Sequence, residues 1–152
     1  MKRLAVLCAL AAVVLAVPLA ADAHPLGNFT INRYSLVEPS GSRIYVRYVL
    51  DMAEIPTFQA QPTIRAEGEE AYARGLVAQI RRGLRLTVDG RLLPLRPLRN
   101  ALAFPPGQAG LHTTRLEIAF AANPLPAGQP GRLLFRDTNF AGRIPTNCTY
   151  SL

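Results

Sequence analysis

Three groups of residues in this chain have types and spacings that could do chemistry. The first is His24. It follows Ala21-Asp22-Ala23, the A-x-A pattern that signal peptidase accepts. Cleavage there makes His24 the first residue, with a free α-amine beside its imidazole. Those two nitrogens form a chelate suited to Ni²⁺ or Cu²⁺. The α-amine titrates near ~7.7–8.0, so at neutral pH the ion must displace a proton. Pro25 has no N–H, which excludes a chelate through deprotonated backbone amides and leaves amine plus imidazole. His112 is the other histidine of the mature chain. Its phase with Leu116, Ile118 and Phe120 predicts a partly buried place toward the core at the start of a strand.

The second group is Asp51 and Glu54 in "YVLDMAEIP". Two carboxylates three apart suit a hard cation or acid/base work. No partner constellation supports either role, and just past a strand end the expectation is of solvated acids with no such role. The third is Asp137 and Asn139 in "FRDTNF", an Asx turn in which the side chains bond their own backbone. The sequence holds no Ser/His/Asp set, no cysteine cluster at metal spacing and no glycine-rich phosphate loop. It makes no positive case for an enzyme, and the expectation is a non-catalytic protein.

The elements that position these residues begin after a leader. Lys2 and Arg3 precede an apolar run from Leu4 to Leu19, which reads as a cleaved Sec-type signal over 1–23 and places the protein in the periplasm. The remaining 129 residues hold one cysteine, Cys148, so no internal disulfide forms and an apolar core must carry the fold. They also hold fifteen arginines against nine acids. The arginines read as scattered, which argues against nucleic acid and for a basic surface with some attraction to anionic lipid headgroups.

"NFTINRYS" and "SRIYVRYVL" predict two strands, with Pro39 and Gly41 marking the turn between them. In the second, Ile44, Val46, Tyr48 and Leu50 share one face. Residues 67–83 predict the single helix, lined by Tyr72, Leu76, Val77 and Ile80, with glutamates in its first turn and arginines in its last. Asp89-Gly90 between "LRLTV" and "RLLPL" predicts a type I′ hairpin, with Pro94 ending the returning strand or holding it at a sheet edge. Two further strands are expected over 111–120 and 131–137. The fold class is mostly β: a small antiparallel β-sandwich with one α-helix at about 67–83.

Three segments, "AHPLGNFTINRY" (23–34), "RYVLDMAEIPTFQ" (47–59) and "LFRDTNFAGRI" (134–144), together resemble the extracytoplasmic amino-terminal region of bacterial nickel/cobalt exporter-type membrane proteins. The resemblance implies a β-rich periplasmic domain over 24–144, attached to membrane helices whose histidine motifs handle the ion. Its partner would then be a transmembrane transporter domain or the membrane surface, not nucleic acid, and its ion nickel or cobalt, with copper added by the His24 chelate. Residues 145–152 depart from that pattern and read as an unstructured or aberrant tail, which favours a truncated or frameshifted chain over a free-standing periplasmic relative. Two other readings stay open: a copper-binding protein or oxidase using His24 with His112, and a purely structural interaction domain.

Overall fold

Alternation along residues 43–52 builds the centre of the molecule. In a computed structural model, which describes residues 28–122 and 132–141, strand β2 (Arg43–Met52) buries Ile44, Val46, Tyr48, Leu50 and Met52. Tyr45, Arg47 and Val49 point the other way, the period-2 pattern of a strand buried on one face. Strand β1 (Ile31–Ser40) pairs with it antiparallel, from Ile31 opposite Met52 to Ser40 opposite Arg43. It is longer than expected and runs through Pro39. A proline is tolerated there because β1 is an edge strand. The turn is Gly41-Ser42, and Gly41 supplies its positive φ of 57°.

Residues 54–83 form two helices, not one. Helix α1 (Glu54–Glu67) escapes sequence reading because it has no apolar stripe: its buried side is Glu54, Pro56, Thr57 and Ile64. Pro56 lies in the first turn, where a missing N–H costs nothing, and Pro62 forgoes one backbone bond further along. Gly68, at φ 84°, separates the helices. Helix α2 (Glu69–Gly83) buries Ala73, Leu76, Val77 and Ile80, with Tyr72 packed against the same core. The expected helix is therefore α2, and Glu67, expected in its first turn, ends α1.

Strand β3 (Leu84–Val88) leaves α2 directly and turns at Asp89-Gly90 into β4 (Arg91–Leu93). Both turn residues have positive φ, 49° and 80°, as a type I′ turn requires. Pro94 ends β4, which is an edge strand. The chain then enters the other sheet as β5 (Leu95–Ala103), a strand whose mostly exposed residues carry no alternation to announce it. A short 3-10 turn at Gln108–Gly110 precedes β6 (Thr114–Ala122). Strand β7 (Leu133–Asp137) pairs with β3.

Two antiparallel sheets result, β1-β2-β6-β5 and β4-β3-β7. Val46 and Leu50 of β2, Phe120 of β6, Leu86 and Val88 of β3, and Leu76 and Ile80 of α2 meet in one shared core. The crossover at Pro94 commits one continuous stretch to both sheets. No helix among the described residues is long and apolar enough to cross a membrane.

Candidate functional site

Arg33, Tyr48 and Asp137, one from each of the three resembling segments, meet at a buried polar junction between the sheets. Alternation along β1 turns Arg33 to the same side as Ile31, Ser35 and Val37. Tyr48 occupies the buried phase of β2 and is fully enclosed. Asp137 ends β7. The Tyr48 hydroxyl donates to Asp137 Oδ2 at 3.1 Å, and Arg33 Nη1 lies 3.5 Å from the same oxygen. The Arg33 and Asp137 side chains are only 8% and 1% exposed.

The other carboxylate oxygen is also occupied. The Asn139 backbone N–H and its amide Nδ2 both donate to Asp137 Oδ1 at 2.8 Å, the expected Asx turn. Asn139 Nδ2 also donates to the Ile80 carbonyl at 2.9 Å, and Thr138 donates from N and Oγ1 to the Gly83 carbonyl. The end of α2 is thereby tied to β7. Gly83 is required here by close approach, since a Cβ would land on the Asn139 amide. A carboxylate accepting this many hydrogen bonds beside a buried guanidinium is a lock on the fold. Its oxygens are committed to donors, so it offers no free base and no open ligand.

Sequence reading passed over Arg33 and Tyr48. The signal was present: each is a polar group in the buried phase of its strand, and a buried polar group needs a partner.

Asp51 and Glu54 line one cleft of about 370 Å³ with Asn32, Pro105, Thr113 and Arg115. Both carboxylates are engaged. Arg115 Nη1 contacts Asp51 Oδ1 and Oδ2 at 3.2 and 3.1 Å, while its Nε donates to Glu117 at 2.9 Å. Those acids hold the Arg115 guanidinium more firmly protonated, the Glu117 hydrogen bond foremost. Glu54 is not a solvated strand-end acid: it is buried as the first residue of α1 and accepts the Gln108 backbone N–H at 2.9 Å. That bond, followed by one from its own backbone N–H, holds the carboxyl below the usual carboxylate range. Thr57 completes the anchorage, sharing a 2.9 Å hydrogen bond with Thr114 of β6.

His112 stands exposed, not core-facing. The strand begins only at Thr114, and His112 makes an isolated bridge to Pro106, so the phase of β6 does not extend to it. His24 lies outside the described residues. Among those described, no three His, Cys, Asp or Glu gather to hold a metal ion.

No protein family, curated protein or solved structure matches this chain.

A cleft of about 490 Å³ lies on the outer face of the four-stranded sheet, over Val49 and Ala119 and between Tyr34 and Arg99. Arg47 on that face is spent on Glu38, at 2.8 Å.

Proposed function

We propose that this chain is a non-catalytic extracytoplasmic domain of a nickel/cobalt exporter-type membrane protein, exported by its amino-terminal leader and acting as a structural or regulatory module. One observation carries this reading: each of the three resembling segments contributes a residue, Arg33, Tyr48 or Asp137 with Asn139, to the same buried junction. These four residues need their types because they meet in the fold. The wording supports a shared architecture and leaves the ion to other parts of such a protein. The acids Asp51 and Glu54, held by Arg115 and Gln108, are structural here.

In this reading a metal contact by the domain itself runs through His24, as terminal amine plus imidazole. Three measurements test the proposal. Sequence of the gene past codon 152 is expected to reveal a frame encoding membrane helices with histidine motifs, and its absence in every phase rejects the exporter reading. Intact mass of the exported protein reports whether His24 is the terminus. Titration with Ni²⁺, Co²⁺ and Cu²⁺ then compares it with His24→Ala, and equal affinities remove His24 as a ligand.

A further inference from the structure

The arginines are not scattered. Six of the fifteen in the mature chain fall within residues 81–99, where Asp89 is the one acid. Asp89 is itself used, since its Oδ1 accepts the Arg132 backbone N–H at 2.8 Å. The remainder of the mature chain is close to neutral. The positive charge therefore belongs to the end of α2 and to strands β3, β4 and the start of β5.

On the outer face of the three-stranded sheet, the register forms two rows. Leu92, Thr87 and Leu134 lie side by side across β4, β3 and β7. Both leucines are about half exposed, at 53% and 52%. In the next row Arg85 faces Arg136 directly, both exposed and neither with an acidic partner among the described residues. Like charges directly opposite one another on neighbouring strands destabilise a sheet. A fold that keeps such a pair breaks a local rule beside two half-exposed leucines, as sequences do where a surface is used.

The geometry points to this face as a docking surface for an anionic lipid bilayer. Arginine heads pair with phosphate while leucines reach the acyl boundary, and long arginine stems let both contacts form together. Size decides against a protein partner. Three strands at ~4.8 Å spacing and five residues at ~3.3 Å cover on the order of 200 Å². A stable protein interface needs about 800 Å² per partner. Lipid attraction has no such threshold, because each basic residue near the surface contributes separately. The inference deepens the reading of a module held beside a membrane, and rests on it only for which membrane the face meets.

Sedimentation with vesicles tests it, using the chain as exported. Vesicles of phosphatidylglycerol and phosphatidylcholine are compared with phosphatidylcholine alone, at low and high salt. Binding is expected to the anionic vesicles only and to fall as salt rises. At about fivefold per guanidinium, R85Q/R136Q is expected to weaken it about 30-fold. R43Q/R65Q, with the same charge change on exposed positions elsewhere, leaves it nearly unchanged.

Equal losses in both double variants would mean net charge alone and would overturn the face. Absence of binding, or equal binding to neutral vesicles, overturns it too. R85Q/R136Q is expected to melt no lower than wild type, because it removes a repulsion. A second readout is independent of those variants. The chain has no tryptophan, so Leu134→Trp places a single probe on the face, and anionic vesicles should shift its emission to the blue. An unshifted probe on bound protein would overturn the proposal. These outcomes are separate from the gene-sequence and His24 tests, so the docking face and the exporter reading fail independently.

Discussion

Gly75 and Glu54 show how single residues act in opposite directions here. Gly75 sits in the middle of α2, where glycine is disfavoured, and a Cβ added there would meet nothing within 4 Å. Gly75→Ala is therefore expected to stabilise the protein by about 0.5–1 kcal/mol, read as a higher midpoint in urea. Glu54 gains from folding while ionised, because its carboxylate accepts a backbone N–H. Its folded pKa lies below the unfolded one, so its contribution is fully present above the unfolded value of ~4.3 and is lost as pH falls through the folded value. Thermal melts of Glu54→Gln should lie below wild type at pH 7, and the difference should shrink at pH 3. A difference constant across that range would reject the linkage.

At the scale of elements, α1 depends on contacts at its first turn more than on any apolar face. Glu54 grips the loop at Gln108, and Thr57 grips Thr114 and the Met52 carbonyl. Gly107 is the complement of that grip, since a Cβ there would lie 2.6 Å from Glu54 Oε1 and 2.9 Å from its Cγ. Gly107→Ala should cost about 1–3 kcal/mol through this clash. Hydrogen exchange should localise the loosening to the start of α1 and the 105–113 loop. Uniform loosening of the whole domain would contradict the local account. The helix was illegible in sequence for the same reason it is fragile: Ile64 is its one large buried aliphatic side chain, so periodicity had nothing to register. The α2 stripe and the Asp89-Gly90 hairpin were legible, because each is specified by residues close in sequence.

The whole molecule is joined at Asp137, which ties β1 and β2 of one sheet to β7 of the other and, through Asn139, to the end of α2. Removing one partner of a buried pair leaves an uncompensated charge, so Asp137→Ala is expected to cost about 3–5 kcal/mol. Tyr48→Phe, which loses one hydrogen bond to a charged acceptor, should cost about 1.5–3 kcal/mol. The two should be non-additive in a double-mutant cycle by at least 0.5 kcal/mol, since they share one contact. Strict additivity would show that the hydroxyl does not act through Asp137. Both sheets share one core, so unfolding should remain a single transition by near- and far-ultraviolet dichroism.

By itself the sequence determined the strand faces of β2, the stripe of α2, the hairpin and the mostly-β class, because each is written in local periodicity or turn chemistry. It also contained the arginine concentration between 81 and 99. Only the tertiary structure decided what the charged and polar residues do. It committed Asp51 to Arg115 and Glu54 to a backbone N–H. It left His112 exposed ahead of its strand, and it brought Arg33, Tyr48 and Asp137 together across 104 positions of chain. The physical reason is that apolar burial repeats with the period of the element, whereas a polar partner is chosen by proximity, and proximity exists only once the sheets have closed.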